Sequence, residues 1–384
     1  MIVRARLYQV ALPLREPFTI SGGTMTTRRS LIVELEDESG DRGYGESAPF
    51  ELPFYSAETL ASARACLEDC LLSRVVGLEP GTPERVHAVL GDGVRGNRMA
   101  RAGVETACWD LVAARAHTSL AELVSRRLEA LGVPSRWCER RAWIDCGVAL
   151  GIPPDHDPDV LRRWVREALA RGYQRVKLKV HPGWDSRPVE IARGEMARAG
   201  RVVPLWVDAN GAYDAERDAE ALAALDRCRL LFIEQPLPEE CVWESCELGR
   251  RLDTPICLDE SLVCDEIARQ VMAMDGADIW NLKIQRVGGL EEACRIYARA
   301  VKHGVRLWGG TMPETGLGAQ AMLALGAHVG FVFPSDLEPS ERWYGHDVDL
   351  VELTMSKEGR MPVPASRVGI ELDGRAALLA EVGR

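Results

Sequence analysis

The stretch LWVDANGAYDAERDAEALAALDRCRLLFIEQP, residues 205–236, contains two short apolar runs separated by a helical stretch. Each run ends in a carboxylate, Asp208 in the first and Glu234 in the second. Short apolar runs of this kind are typical of buried parallel strands, and the step from Asp208 to Glu234 is 26 residues, close to the size of a βαβ unit. This stretch therefore predicts two neighbouring parallel strands that each end in an acidic side chain.

The same pattern recurs over most of the chain. Amphipathic stretches such as DVLRRWVREALARG, residues 159–172, separate eight apolar runs. The runs lie at 143–150, 175–180, 205–208, 231–234, 256–259, 279–283, 305–308 and 331–334. Eight successive strand–helix steps favour a (β/α) barrel over an open sheet.

The chain on either side of this region has a different pattern of apolar and polar residues. Residues 1–50 alternate like antiparallel strands, and residues 57–130 are mostly helical in pattern. Strands followed by helices predict an α+β unit. We expect residues 344–384 to return to that unit.

Composition limits the class of protein. The chain has 384 residues, of which 46% are apolar and 27% charged, so disordered and collagen-like chains are excluded. Its net charge is −11, which makes it a poor candidate for nucleic-acid binding. The eleven cysteines show no Cys-x-x-Cys spacing, and no apolar run is long enough to span a bilayer. With no signal peptide apparent, we expect a soluble cytoplasmic protein.

Acidic residues end three consecutive predicted strands. Asp208, Glu234 and Asp259 lie about one βα unit apart, and the carboxyl ends of barrel strands meet on one face. A single acidic residue there is usually a helix cap, but three in register are costly to bury without a cation. Oxygen ligands favour Mg²⁺, with Mn²⁺ as a substitute.

Lysines end the strands on both sides of these carboxylates. Lys177 and Lys179 share one face of the second strand, and Lys283 ends the sixth. Burial and a nearby cation would lower the pKa of a lysine towards that of a usable base. One lysine on each face of a carbon next to a metal-bound carboxylate permits racemisation by 1,1-proton transfer, and the same arrangement permits β-elimination of water.

These motifs resemble the muconate-lactonizing subgroup of the enolase superfamily, and within it the N-succinylamino acid racemase / o-succinylbenzoate synthase branch. The resemblance rests on KLK (177–179), VDAN (207–210), IEQP (233–236), CLDES (257–261), NLKIQRVGG (281–289), GGTMPETGLGAQ (309–320) and PSDLEPSERWY (334–344).

The resemblance implies an α/β fold. A (β/α)₇β modified TIM barrel over residues 136–343 would carry an N-terminal α+β capping domain, residues 1–135, completed by residues 344–384. It implies Asp208, Glu234 and Asp259 as Mg²⁺ ligands, Lys179 and Lys283 as the two bases, and Lys177 as the electrostatic partner of Lys179. The expected substrate-binding or supporting residues are Asn210, Glu260, Arg286, Gly310, Met312, Glu314, Phe54 and Tyr55. Segments around residues 21–24 and 54–55 are expected to close over the substrate.

The resemblance leaves the reaction open between alternatives. The first is a Mg²⁺-dependent N-succinylamino acid racemase that works through a metal-stabilised enolate, and the second is o-succinylbenzoate synthase in menaquinone biosynthesis, or both activities in one enzyme. Asp336 and Glu338 resemble the acidic pair of dipeptide epimerases, a third and less favoured reaction, and a noncatalytic metal-binding scaffold is a fourth hypothesis. Ala149 stands where relatives often carry serine, which bears on the acyl-group preference. The expected partners are a small-molecule carboxylate substrate and further copies of the chain in a homo-dimer or homo-octamer, with no nucleic acid and no membrane.

Overall fold

The first part of the protein forms a four-stranded antiparallel sheet. The computed structural model describes residues 1–20, 23–79, 81, 83–345, 347–370, 372 and 374–383. The strand order is β13-β1-β2-β3, so the last strand of the chain pairs with the first. These strands are β1 (Ile2–Ile20), β2 (Gly23–Asp37), β3 (Arg42–Ser47) and β13 (Ala376–Gly383). The predicted return of the chain terminus to this unit thus has a physical basis, an antiparallel strand pair.

Helices pack on one face of this sheet. Gly43 and Gly45 of β3 allow the long helix α4 to approach closely, because a Cβ at either position would overlap its backbone. The helices are α1 (Leu60–Cys66), α2 (Leu72–Val75), α3 (Pro83–Gly91), α4 (Arg98–Arg115), α5 (Leu120–Ala130) and α6 (Ser135–Cys138), with a π-helical turn (Leu67–Leu71) between α1 and α2. No helix in the described part of the chain is long and apolar enough to cross a membrane.

Seven parallel strands in sequence order form the second sheet. They are β5 (Gly147–Leu150), β6 (Arg175–Lys179), β7 (Leu205–Asp208), β8 (Ile233–Glu234), β9 (Ile256–Leu258), β10 (Ile279–Leu282) and β11 (Arg306–Gly309). The helices around them are α7 (Pro158–Ala170), α8 (Ser186–Arg198), α9 (Ala219–Arg227), α10 (Val242–Arg251), α11 (Asp265–Met274), α12 (Ile284–Val287), α13 (Leu290–His303), α14 (Gly316–Gly326) and α15 (Ser340–Trp343). This is the curled parallel sheet of a modified TIM barrel, as the sequence predicts.

The predicted first and eighth strands differ from the expectation. The run 143–150 splits into β5 and a separate β4 (Trp143–Asp145), which pairs antiparallel with β12 (Arg360–Pro362). The run 331–334 forms no regular strand, and isolated bridges at Phe331 and Ser335 join it to its two neighbours. Val332 N donates to Leu307 O at 2.9 Å, and Gly147 N donates to Ser335 O at 2.8 Å. These bonds connect β11 back to β5, so the barrel closes through a short irregular segment.

Two carboxylates from the first unit dock it onto the barrel. Glu105 of α4 accepts hydrogen bonds from the backbone N–H groups of Leu290 (2.6 Å) and Glu291 (2.8 Å), at the start of α13. Glu46 of β3 accepts from the backbone N–H groups of Thr315 and Gly318, at the start of α14. A carboxylate at a helix N-terminus satisfies orphan donors and faces the positive end of the helix dipole. The domain boundaries at 135/136 and 343/344 stay predictions.

Gly289 provides a test of this docking. Its φ is +132°, and a Cβ there would overlap the Glu105 carboxylate. Gly289→Ala should therefore lower the free energy of unfolding by about 3 kcal/mol or more, from backbone strain together with lost hydrogen bonds. Urea unfolding measures this change.

The matched control is Gly304→Ala. Gly304 also has a positive φ, +76°, but has open space around its missing Cβ. Its replacement should cost roughly 1–2 kcal/mol, the strain alone. Equal losses for the two variants would show that overlap with Glu105 adds nothing to the cost of backbone strain at Gly289.

Candidate active site

The carboxyl ends of the barrel strands bring the predicted ionic residues to one edge. Lys179 ends β6 and pairs in register with Asp208, which ends β7, and Asp208 pairs in register with Glu234 at the end of β8. Asp259 follows β9 directly and Lys283 follows β10. Parallel in-register pairing places all five side chains on the same end of the barrel.

The three carboxylates of Asp208, Glu234 and Asp259 form one cluster. They are fully buried, and one oxygen from each lies within 4.8 Å of the others. Burial raises the pKa of Glu234 to about 8, with the charge of Asp208 adding to the effect. A buried set of closely spaced oxygen donors fits a hard divalent cation.

Two lysines approach this cluster from opposite ends. Lys179 Nζ lies 2.6 Å from Asp208 Oδ2, and Lys283 Nζ lies 2.8 Å from Asp259 Oδ2. Burial disfavours the charge of Lys283, but Asp259 and Tyr55 outweigh it, so the pKa of Lys283 is raised above its ordinary value. The Asp259 carboxylate thus favours the ammonium form of Lys283.

Lys177 lies between the carboxylates and the eighth segment of the barrel. Its Nζ is 3.1 Å from Asp208 Oδ2, 3.3 Å from Glu234 Oε1 and 2.7 Å from Asp336 Oδ2. Burial opposes its charge, yet these three carboxylates raise the pKa of Lys177 well above its ordinary value. Lys177 thus places a positive charge beside the cluster, and Arg175, which pairs with Asp336, adds a second.

Asn210 and Glu260 extend the contacts of Lys179. The Lys179 ammonium donates to Asn210 Oδ1 at 2.7 Å, and Asn210 Nδ2 donates to Glu260 Oε1 at 2.8 Å. Asn210 has a φ of +46°, a conformation that asparagine tolerates better than most residues. Burial, with the charge of Asp259 next in effect, raises the pKa of Glu260 to about 7.

Arg286 binds the far side of Asp259. Its guanidinium pairs with Asp259 Oδ1, while Lys283 holds Oδ2 of the same carboxylate. Arg286 Nε also donates to the carbonyl oxygen of Leu262 at 3.0 Å. The structure therefore places Arg286 in an ion pair that fixes Asp259, the carboxylate that also binds Lys283.

Tyr55 covers the site from the capping unit. Lys283 Nζ donates to the Tyr55 hydroxyl at 3.1 Å, and the same hydroxyl lies 3.4 Å from Asp259 Oδ2. Phe54 does not line this pocket, because its ring packs on Phe50 with centroids 4.7 Å apart, and Phe50 lines the pocket instead. Of the segment at 21–24, residues 21 and 22 lie outside the described residues.

The loop after β11 forms another wall. Met312 lines the pocket, and Gly310 permits a close approach, since a Cβ there would lie 2.8 Å from Lys283 Cε. Glu314 accepts a hydrogen bond from Met312 N at 2.8 Å and does not line the pocket. Its effect on the site is to shape the loop backbone.

Several lining residues were not predicted as part of the site. They are Phe18, Phe50, Thr311, Pro313 and Trp343. The two phenylalanines come from the capping unit, at positions that no strand-end rule identifies. Asp336 and Glu338, noted only for an alternative reaction, also line the pocket.

Family models match both parts of the chain. "Enolase C-terminal domain-like" matches residues 160–376, and "Mandelate racemase / muconate lactonizing enzyme, N-terminal domain" matches residues 2–125. The chain belongs to the enolase superfamily.

Relatives of this enolase-superfamily enzyme carry two kinds of name. It is 39% identical to an N-succinylamino acid racemase of an Amycolatopsis species, over 93% of this chain and 91% of the relative. It is 37% identical to an o-succinylbenzoate synthase of Geobacillus kaustophilus, over 96% and 93%. The crystal structure of an enolase-superfamily member from Listeria innocua is 31% identical, with a TM-score of 0.85 over 99% of this chain and 98% of that one.

Glu338 is the least satisfied acid in the pocket of this enolase-superfamily member. Its Oε1 accepts from Ala149 N at 3.0 Å, whereas Oε2 has no hydrogen-bond partner and lies 3.4 Å from Arg342 Nε. Burial raises the pKa of Glu338 to about 7. The pocket lining therefore includes a carboxyl group with one oxygen that accepts no hydrogen bond.

The raised pKa predicts a pH-dependent stability. Because native Glu338 holds its proton up to about pH 7 and the ordinary value is 4.5, its contribution to stability is lost as the pH rises through this window. Glu338→Gln removes the titration and keeps an oxygen for Ala149 N. The free energy of unfolding of the variant relative to the wild type should rise by roughly 3 kcal/mol between pH 4.5 and 7.5, measured by urea unfolding.

Glu341→Gln, at an exposed site in the next turn, is the control and should show a smaller pH dependence. If the difference in unfolding free energy between Glu338→Gln and the wild type stayed constant across this pH range, the raised pKa of Glu338 would be contradicted.

Proposed function

We propose that the chain is a Mg²⁺-dependent N-succinylamino acid racemase that uses Lys179 and Lys283 for a 1,1-proton transfer. The observation that supports it best is the placement of the two ammonium groups at opposite ends of one acidic cluster, on Asp208 and on Asp259. A carbon held between them would meet one lysine on each face. The names of the relatives support the same reaction class.

In this proposal Asp208, Glu234 and Asp259 hold the metal ion. Their buried oxygen donors fit Mg²⁺, with Mn²⁺ as a substitute. A divalent cation bound there would supply electrostatic stabilisation for the negative charge that develops on a substrate carboxylate.

The chain's own residues handle the proton. One lysine enters as a free amine and removes the α-proton, and the other, as an ammonium, returns a proton to the opposite face. Asn210 orients Lys179, and the Tyr55 hydroxyl orients Lys283 while its ring covers the site. Lys177 stays charged and balances the carboxylates. Because the ionic groups are buried, their electrostatic effects are stronger than in water.

Syn-dehydration to o-succinylbenzoate is the second candidate, and both activities in one enzyme remain part of the proposal. It needs the same cation site and proton removal from one face only. Relatives named for this reaction match at similar identity to those named for racemisation.

The contacts of Asp336 argue against dipeptide epimerisation. A pair of free carboxylates would be needed to bind an α-ammonium group, but Asp336 is already paired with Arg175 and Lys177. Of these two acids, Glu338 is the one that has an oxygen without a hydrogen bond. The pocket therefore favours an acylated nitrogen over a free ammonium.

The proposal includes the setting of the enzyme. All eleven cysteines are free thiols, which supports a reducing compartment, the cytoplasm. The homo-dimer or homo-octamer rests on the family resemblance alone. In this proposal the chain divides into a cap (1–135), a barrel (136–343) and a returning segment (344–384), and the pairing of β13 with β1 supports the return.

Exchange of the α-proton in deuterated water tests the two-lysine mechanism. With Mg²⁺ and either enantiomer of N-succinyl-phenylalanine, the wild type should incorporate deuterium at Cα, followed by NMR. Lys179→Ala and Lys283→Ala should each lower racemisation by at least about 100-fold, because each removes the acid–base group on one face. The two variants should differ in which enantiomer still exchanges.

Lys302→Ala, an exposed lysine on α13, is the control and should racemise like the wild type. The proposal would be wrong if the wild type incorporated no deuterium at Cα in the presence of Mg²⁺. It would also be wrong if Lys179→Ala or Lys283→Ala racemised the substrate at the wild-type rate. Comparing kcat/KM for the N-succinylamino acid with that for the cyclohexadiene precursor of o-succinylbenzoate ranks the two candidate reactions.

Metal dependence gives a separate prediction. Chelation should abolish exchange and added Mg²⁺ should restore it. Glu234→Gln should weaken Mg²⁺ binding at least about tenfold in calorimetric titrations, because one anionic oxygen ligand is lost. Glu266→Gln is the matched control, since Glu266 belongs to a second acidic group with Cys264 and Glu292 outside this pocket. An equal loss of Mg²⁺ affinity in both variants would show that Mg²⁺ does not bind at Asp208, Glu234 and Asp259.

A further inference from the structure

Gln235 is a fully buried residue that directly follows Glu234 at the end of β8. Its backbone N–H donates to the carbonyl oxygen of Cys257 on β9 at 2.8 Å. Its own carbonyl oxygen accepts from Gly211 N, in the loop after β7, at 2.8 Å. The main chain of this one residue therefore joins the ends of the three strands that carry the acidic cluster.

The side-chain amide of Gln235 adds four further hydrogen bonds. Oε1 accepts from the backbone N–H groups of Asp259 (3.0 Å) and Ser261 (3.1 Å). Nε2 donates to the carbonyl oxygen of Leu237 and to Ser261 Oγ, both at 2.8 Å. Backbone N–H groups only donate and carbonyl oxygens only accept, so these partners fix which end of the amide is the oxygen. Every hydrogen-bonding position of the amide is used, and one of them holds the backbone of Asp259.

The carboxylate next to Gln235 is held independently through its own oxygens. Trp206 Nε1 donates to Glu234 Oε2 at 3.2 Å, and Asn281 Nδ2 donates to Glu234 Oε1 at 3.0 Å. With this side chain held, the spacing of the three carboxylates depends on how the ends of β7, β8 and β9 are placed relative to one another. Gln235 bonds to all three of those ends.

The backbone of Gln235 has an unfavourable conformation. Its φ is +36°, in a region that few residues other than glycine adopt. Glycine would take this conformation at little cost, but it would have no amide to join the strand ends. Strain of this kind persists only where surrounding contacts enforce it, and here the six hydrogen bonds of Gln235 do so.

We propose that Gln235 is a positioning residue that sets the spacing of Asp208, Glu234 and Asp259 and thereby selects Mg²⁺ over the larger Ca²⁺. This inference rests on the proposed function, in which the three carboxylates hold Mg²⁺. Mg²⁺ requires nearly ideal octahedral geometry with oxygens at about 2.0–2.1 Å, whereas Ca²⁺ accepts variable geometry at about 2.3–2.6 Å. A rigid link between the ligand-bearing strands favours the smaller ion, and a loosened link loses that preference.

Calorimetric titration of the full, chelator-treated chain with Mg²⁺ and, separately, with Ca²⁺ tests this role. Gln235→Met keeps the length of the side chain and removes the four amide hydrogen bonds. Mg²⁺ affinity should fall about 10–100-fold, as is usual when a residue that supports metal ligands is lost. Ca²⁺ affinity should fall much less, so the ratio of Mg²⁺ to Ca²⁺ affinity should drop at least about fivefold.

Gln285→Met is the matched control. Gln285 is also buried, and its amide accepts from Ala48 N at 3.1 Å and donates to the carbonyl oxygen of Glu46 at 2.6 Å, both in the capping unit. Its replacement should lower the midpoint of urea unfolding, because buried backbone groups lose their partners. The ratio of Mg²⁺ to Ca²⁺ affinity should stay at the wild-type value.

Ser261→Ala covers the case in which Gln235→Met fails to fold. It removes one partner of Gln235 Nε2 and leaves the other amide hydrogen bonds in place. The affinity ratio should fall in the same direction by a smaller factor, about two- to threefold. An unchanged ratio in folded Gln235→Met, or in Ser261→Ala if the first variant does not fold, would overturn this inference alone. A wild type that does not bind Mg²⁺ would overturn the proposed function as well.

Discussion

The burial of three carboxylates at one edge of a parallel sheet is the constraint on which the rest of the site depends. Asp208, Glu234 and Asp259 have no access to solvent, and unpaired charges in such a place are costly. Positively charged side chains around the three carboxylates offset that cost. Lysines contact the two outer carboxylates, Lys177 reaches the middle one, and Arg286 holds the back of Asp259. Catalytic potential and charge balance thus come from the same contacts.

Single carboxylates also hold the capping unit on the barrel. Glu46 and Glu105 accept hydrogen bonds from the free backbone donors at the starts of α14 and α13. These contacts orient the cap so that Tyr55 reaches Lys283 and Phe50 lines the pocket. A displaced cap would leave the ionic cluster open to water, which weakens every electrostatic interaction in it.

Much of the site was predictable because a regular fold converts sequence spacing into position. Parallel strands in register bring their ends together, so acids at 208, 234 and 259 had to converge once the barrel was assumed. Residues on irregular segments follow no such rule. Asp336 pairs with Lys177 because the eighth segment closes the barrel through isolated bridges, and Phe50 precedes a loop of the cap. The raised pKa values of Lys177 and Lys283 likewise depend on which carboxylates each ammonium group contacts in the folded protein.

The sequence by itself determined the barrel, the acidic trio and the flanking lysines, since these depend on period, spacing and residue type within single strands. Only the tertiary structure decided which carboxylate each cation contacts, which cap residues cover the pocket, and that Glu338 keeps an oxygen without a hydrogen bond. Those features join segments far apart in the chain, and the side-chain distances between such segments depend on how the cap and the closing segment pack.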